Sequence, residues 1–245
     1  MRRFFVAPQL LGQDTAVLGS ELSRHIATVL RLKVGDSILL ADGNGREAAA
    51  SITALEKEGV GIAIGPVYAV AADDSCCITL FQGVPKGEKL DLILQKCTEL
   101  GVSRIVPFEA ERSVARLTGE KLDKRLLRWE RIVMEAARQS GRSKIPAIGF
   151  AADLQTAVQS DSSVLRLLLW EGEREQGLRT VLERAGKPAS VAVIIGPEGG
   201  LSKAEAAAAV AAGFEPITLG KRILRTETAG PAVLAILQYL LGDLG

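Results

Sequence analysis

Apolar and polar positions follow two different rhythms along this chain, and the change of rhythm divides it. Up to about residue 70 the two-residue alternation of strands prevails. Phe4, Phe5 and Val6 form a short apolar run. Residues 37–41 and 47–55 read as strands joined by Asp42-Gly43-Asn44-Gly45, a hairpin signal, and Val60, Ile62 and Ile64 alternate with small residues as a half-buried strand does. One helix interrupts them, beginning at 18–22 and carrying His25, Val29, Leu30 and Arg31. The pattern predicts a small β-barrel with one helix over residues 1–70. Pro66 and the small and acidic residues that follow it to Asp74 mark a boundary.

From there strands and helices alternate. Residues 76–84 have the character of a buried strand, and Leu90, Ile93, Leu94, Cys97 and Leu100 recur at helical spacing until Gly101 stops them. Residues 102–108 form the next strand. Strand, helix and strand in that order require a crossover, hence a parallel pair. A long helix over 122–140 puts Trp129, Ile132, Val133 and Ala136 on one face; strand 164–170, helix 178–185 and a strand from Val191 follow. Ser202 and Glu205 have the spacing of a reciprocal helix cap, strand 215–219 comes after Gly213, and an apolar helix over 231–240 closes the chain. About five strands alternating with helices predict an α/β domain with a parallel sheet over 74–245.

Within that domain the strand ending near Ile195 meets Gly196-Pro197-Glu198-Gly199-Gly200, and the one ending at Leu219 meets Gly220-Lys221-Arg222-Ile223-Leu224-Arg225-Thr226-Glu227-Thr228-Ala229. Trp170-Glu171-Gly172 stands at a third strand end. Parallel strands bring such loops to one sheet edge, where open α/β sheets bind ligands. Glycines there let backbone groups approach a flat ligand, and such a site reads a purine by main-chain hydrogen bonds.

Composition narrows the chemistry. Cys76, Cys77 and Cys97 show no C-x-x-C spacing and are expected to be reduced and buried, while a single histidine, His25, nearly excludes a histidine-based metal cluster. No phosphate-binding P-loop is present. No apolar run approaches the roughly 18 residues of a membrane span, and the N-terminus lacks a signal-peptide core, so a cytoplasmic protein is expected. Between Arg112 and Lys144, ten basic residues face four acidic ones, a local +6 in a chain of net charge +1. A docked polyanion and a solvated helix face both account for it. His25 and Arg31 admit the same two readings, as an RNA-contacting pair or a polar helix face. Arg138-Gln139-Ser140-Gly141-Arg142 combines guanidinium and amide groups on a glycine turn, suited to gripping phosphate and reading a base edge, or is a routine helix end with arginines favoured by the dipole.

Four segments, in order, carry a specific resemblance: KCTELGVSRIVPFEAERSV (96–114), EAARQSGR (135–142), IIGPEGGLSKAE (194–205) and LGKRILRTETAGPAVL (219–234). Over essentially its whole length the chain resembles the RsmE family of 16S ribosomal RNA uracil-N3 methyltransferases, in the SPOUT superfamily of S-adenosylmethionine-dependent enzymes. The resemblance implies a PUA-like barrel, a SPOUT domain whose C-terminal segment forms a deep trefoil knot, a homodimer, and methylation of N3 of a specific uridine in the small ribosomal subunit. It implies cofactor contacts from Trp170, Glu171, Gly172, Ile195, Gly196, Pro197, Glu198, Gly200, Leu219, Gly220, Ile223, Leu224, Thr228 and Ala229, although Trp170 stands where the family often has methionine or leucine. His25, Arg31, Arg112, Arg138, Gln139, Ser140 and Arg142 are the candidates for RNA contact, and no metal is expected.

Methyl transfer from a sulfonium is an in-line displacement that needs positioning above all, and uracil N3 must lose its proton. Arg225 and Arg142 are candidates to stabilise the developing anion, with Glu227 as an anchor or base. A structural ion pair is the competing account of Glu227. A ribose 2'-O-methyltransferase of the same superfamily and a non-catalytic RNA-binding assembly factor are the alternative functions.

Overall fold

The structure, a computed structural model, describes residues 1–56, 59–70, 76–113, 117–159 and 161–244. Its contacts separate two compact units, Met1–Asp73 with Ala137–Ile145, and Asp74–Ala136 with Pro146–Gly245. The expected division ran 1–70 and 74–245; the difference is that the RQSGR segment clusters with the first unit. Part of the expected boundary, residues 71–74, lies outside the described residues, as does Arg116 of the basic run.

In the first unit, strands β1 (Arg2–Phe5), β2 (Thr15–Leu18), β3 (Ser37–Ala41), β4 (Arg46–Leu55) and β5 (Val60–Ala69) form one sheet in the order β1-β3-β4-β5-β2. Phe4, Leu18, Ile26, Ile38, Leu40, Ile52 and Ile62 bury together as its core. The β3–β4 turn is held by the Asp42 carboxylate, which accepts from the Asn44 N–H at 2.8 Å and from Arg46 Nε at 2.8 Å. Pro66, read from sequence as part of a boundary, is inside β5. Ala48 pairs with Val67 and Ala50 with Ile64, so two residues, Gly65 and Pro66, face Ala49 alone. Such a bulge tolerates a residue that has no N–H to give the ladder. The segment 137–145 returns here through Ile145, whose N–H donates to Gly43 O at 2.9 Å.

The expected helix through Arg31 is shorter and irregular. Helix α1 (Ser20–Arg24) passes into a π-helical turn, His25–Val29, closed by the Leu30 N–H to His25 O at 3.0 Å and the Leu32 N–H to Ile26 O at 3.1 Å. Arg31 then adopts φ 52°, the one non-glycine residue at positive φ among the described residues.

In the second unit, strands β6 (Cys77–Gly83), β7 (Arg104–Phe108), β8 (Ala147–Ile148), β9 (Leu165–Leu169), β10 (Ser190–Ile195) and β11 (Glu215–Ile217) form a sheet in the order β11-β9-β10-β6-β7-β8, parallel throughout. The five expected strands are joined by the short edge strand β8. Helices α2 (Lys89–Glu99), α3 (Glu120–Ser140), α4 (Leu154–Gln159), α5 (Leu178–Ala185), α6 (Lys203–Ala211) and α7 (Thr226–Leu241) follow in chain order. Ser202 caps α6 as the sequence suggests, accepting from the Glu205 N–H while Glu205 accepts from the Ser202 N–H. Helix α7 begins five residues before the expected 231, with Pro231 inside it. One core cluster unites Phe81, Phe108, Leu168, Ile194, Leu201 and Phe214, with the Phe81 and Phe214 rings edge to face at 6.1 Å. Cys76 and Cys97 are buried, but Cys77, expected buried, is exposed at the start of β6. No helix among the described residues is long and apolar enough to cross a membrane.

Arg31 occupies backbone space that costs an L-residue roughly 1–2 kcal/mol and glycine nothing. Arg31→Gly is therefore expected to stabilise the protein, by about 1 kcal/mol after the added freedom of the unfolded chain is subtracted. Denaturant unfolding of both proteins measures it; a less stable variant would show that the Arg31 side chain holds the fold.

Candidate active site

Because β9, β10 and β11 run parallel, their C-terminal ends open onto the same edge, and a cleft of about 680 Å³ lies there. Three loops wall it. Trp170 and Glu171 leave β9, residues 196–200 leave β10, and residues 218–225 lead from β11 into α7. A volume of this size suits a nucleoside-bearing ligand.

Of the residues expected to hold a cofactor, Trp170, Glu171, Ile195, Gly196, Pro197, Glu198, Gly200, Leu219, Gly220, Ile223, Leu224 and Ala229 line the cleft. Gly172 and Thr228 do not. A Cβ on Gly172 would stand 2.7 Å from the Trp170 ring, and Thr228 is exposed in the first turn of α7. Gly200 has φ +66°, left-handed backbone that favours glycine, in the turn that brings the β10 loop against the Glu171 side chain.

Arg225 and Glu227 both line the cleft. Arg142 belongs to the first unit, is 7% exposed and is absent from the lining. The first unit also gathers His25 and Arg138, whose Nη1 lies 3.4 Å from His25 Nε2. That contact requires an unprotonated Nε2 as acceptor. Arg31, Gln139 and Ser140 are exposed. Arg112, expected at RNA, sends Nη1 to Gly199 O at 2.9 Å and so braces the glycine loop.

The sequence reading missed Lys89. At the start of α2 its ammonium donates to Glu198 Oε1 at 2.8 Å and lies 3.6 Å from Glu227 Oε2, tying a carboxylate of the glycine loop to one at the start of α7. Glu198 also accepts from the Lys86 N–H at 3.2 Å. Burial pushes the Glu198 carboxyl up, but the Lys89 ammonium and the Glu198 and Lys86 backbone N–H groups more than offset this and hold it below the usual carboxylate range. The one signal for Lys89 was its place just past a strand end, Gln82-Gly83, on the same sheet edge as the other loops.

The residues present fit S-adenosylmethionine. Trp170 and the glycine-rich main chain of residues 196–200 line the cleft together with the carboxylates of Glu171, Glu173, Glu198 and Glu227, a donor set suited to a ligand that carries a purine, a sulfonium and an ammonium.

Both units match known families. The RNA methyltransferase domain family matches residues 72–238, and the RNA methyltransferase PUA domain family matches residues 18–64. The chain belongs to the ribosomal RNA small subunit methyltransferase E family, within these RNA methyltransferases. It is 32% identical over 250 residues to ribosomal RNA small subunit methyltransferase E of Bacillus subtilis, covering 98% of this chain and 96% of that one. The Synechocystis protein of the same name is 33% identical over 98% of this chain and 78% of its own length. Among solved structures, ribosomal RNA small subunit methyltransferase E from Neisseria gonorrhoeae bound to S-adenosyl methionine superposes with a TM-score of 0.89 and 38% identity, covering 100% of both chains.

A carboxyl whose folded-state pKa is depressed stabilises the fold above its unfolded pKa, and the contribution is lost as pH falls through the folded value. Lys89→Met removes the ammonium and lets burial raise Glu198. The variant is then expected to be less stable than the parent near neutral pH and to lose less stability as the solution is acidified, because the unfolded chain no longer takes up a proton at Glu198 ahead of the folded one, measured by denaturant midpoints across the acid range. Coincident acid profiles would mean that Lys89 does not hold Glu198 ionised.

Proposed function

We propose that this protein transfers a methyl group from S-adenosylmethionine to N3 of a specific uridine in 16S ribosomal RNA. The observation that carries the reading is the cleft where three strand-end loops of a parallel sheet converge, in a chain whose relatives over nearly its whole length are small-subunit rRNA methyltransferases. When bound, S-adenosylmethionine supplies a methyl group on a sulfonium, ready for in-line displacement.

The chain's own residues do the positioning. Trp170, Leu219 and Leu224 would supply apolar surface for the adenine, and Gly196 and Gly200 would let main-chain groups serve its polar edge. Arg225, at the N-terminus of α7, places positive charge where the uracil oxygens become anionic as N3 loses its proton. Glu227, 17% exposed and beside Lys89, anchors that end of the cleft. Arg142, buried in the first unit, enters the proposal as an RNA-positioning residue with His25, Arg31, Arg138, Gln139 and Ser140; Arg112 adds a contact beside the glycine loop.

Three further features complete the proposal: a trefoil knot formed by the C-terminal segment, a cytoplasmic location, and action as a homodimer. The exposed Ile236, Tyr239 and Leu240 on one face of α7 support the last. Sedimentation showing only monomer at working concentrations would sink the dimer.

Incubation with S-adenosylmethionine and 30S particles or rRNA lacking the modification is expected to give 3-methyluridine in 16S rRNA, read by nucleoside mass spectrometry. Methyl on a ribose 2'-oxygen would favour the ribose-methylating reading, and no cofactor binding with RNA binding intact would favour an assembly factor. Arg138→Ala is expected to weaken rRNA binding several-fold, at the scale of one charged contact, while leaving the calorimetric affinity for S-adenosylmethionine unchanged. Equal losses in both would refute this division of labour.

A further inference from the structure

Gln82, the penultimate residue of β6, is 0% exposed and does not line the cleft. Its amide nitrogen donates to Gly83 O at 2.9 Å and to Thr226 Oγ1 at 3.0 Å. Thr226, at the start of α7, donates in turn to Gly196 O at 2.8 Å. Counting protons fixes the direction of this chain. A hydroxyl has one proton, and once it is given to the Gly196 carbonyl, only a donor can satisfy the hydroxyl oxygen. The Gln82 amide is that donor. Its nitrogen rather than its oxygen must face this way, because Gly83 O can only accept.

The arrangement has a cost. Both amide protons are committed, and Gln82 Oε1 is left buried without a hydrogen-bond partner among the described residues. An unpaired buried acceptor costs about 1–3 kcal/mol, which an apolar side chain of similar shape would avoid. The polar residue therefore brings something that its contribution to packing does not explain.

What it brings is control of the glycine loop. Gly196 is the first residue of that loop, and its carbonyl is held by the Thr226 hydroxyl alone among the described hydrogen bonds to it. The next residue, Pro197, has no N–H with which to anchor itself. The chain from Gln82 through Thr226 thus links β6, the loop after β10 and the start of α7, and two of its three members line the cleft.

We infer that Gln82 is a positioning residue for the methyl-donor site: through the ordered hydrogen bonds Gln82 to Thr226 to Gly196 it sets the main chain of the glycine loop against α7, so that the cofactor meets a preformed surface. This rests on the cofactor reading above. The two fail separately, because the parent protein's own affinity for S-adenosylmethionine tests that reading first.

A comparator lies in the same helix. Gln238 of α7 is also 0% exposed, and its amide donates to a glycine carbonyl, Gly101 O, at 2.9 Å, but it takes no part in the cleft. Calorimetric titration with S-adenosylmethionine and thermal unfolding would be run on the parent, Gln82→Met, Thr226→Val, Thr226→Ser and Gln238→Met. Thr226→Val is expected to weaken binding roughly tenfold and Gln82→Met several-fold, the scale of losing a buried hydrogen bond. Thr226→Ser, which keeps the hydroxyl, retains the parent affinity. Gln238→Met lowers the unfolding temperature without changing affinity. The inference is overturned if Gln82→Met and Thr226→Val bind like the parent and merely unfold earlier, as Gln238→Met does, or if Thr226→Ser binds as poorly as Thr226→Val. Should Thr226→Val fail to fold, Gln82→Met against Gln238→Met decides alone. A parent that does not bind S-adenosylmethionine overturns both the inference and the reading beneath it.

Discussion

Pro197 lies so close over the end of β6 that a methyl group on Gly83 would stand 2.5 Å from its Cδ and 2.7 Å from its nitrogen. Only glycine fits beneath it, because no real Cβ approaches backbone so closely. The rest of the cleft depends on that approach. With Pro197 seated on β6, the glycine loop turns at Gly200 toward Glu171, Glu198 reaches Lys89 across the edge of α2, and the Gly196 carbonyl meets Thr226. A side chain at Gly83 would lift the loop and separate these partners together. The site is thus a property of strand ends in register, with β6 and β10 paired from Ser190 and Cys77 through Ile195 and Gln82.

The parts legible in the sequence were those whose partners lie nearby along the chain. The α6 cap joins residues three apart, helix α5 spans the residues its periodicity indicates, and the Asp42 turn closes within four residues. The start of α7 gave no such signal. Its N-cap, Arg225, makes no side-chain cap hydrogen bond, and Pro231, which normally favours a first turn, sits in the sixth position of the helix. The π-helical turn was hidden for a related reason. His25, Ile26, Val29 and Leu30 satisfy an α-helical pattern; the Leu30 N–H reaching five residues back to His25 O widens the turn, and the Leu32 N–H bonded to Ile26 O closes it over Arg31 in left-handed space.

The same distinction runs through the site. Glycine-rich strand ends announce themselves locally, and most of the residues they carry line the cleft. Lys89 and Gln82 do not announce themselves, since their partners Glu198 and Thr226 lie 109 and 144 residues away. Counting charge along the chain left the role of the basic run open, and the structure divides it. Arg128 is forked onto Asp91 at 2.9 and 2.5 Å, Arg112 holds Gly199 O, and Arg142 is buried, so part of the basic run serves the fold before it can serve a polyanion.

Charge within the cleft leads to the same emphasis on geometry. Its lining carries Lys89, Arg174, Lys221, Arg222 and Arg225 against Glu171, Glu173, Glu198 and Glu227, nearly balanced, with Lys89 closing ion pairs to both Glu198 and Glu227 within it. A balanced lining gives little net attraction to a methyl donor that itself carries both signs. Affinity and rate must then come from holding groups in place, which is what hydrogen-bonded main chain on a rigid strand end does well, and mobile surface charge does poorly. On the proposed reaction, the arginine beside the start of α7 needs to meet the uracil only as its proton leaves. The same brace that seats the glycine loop also fixes Thr226, the residue next to that arginine, so the loop and the start of α7 are held from one buried strand end.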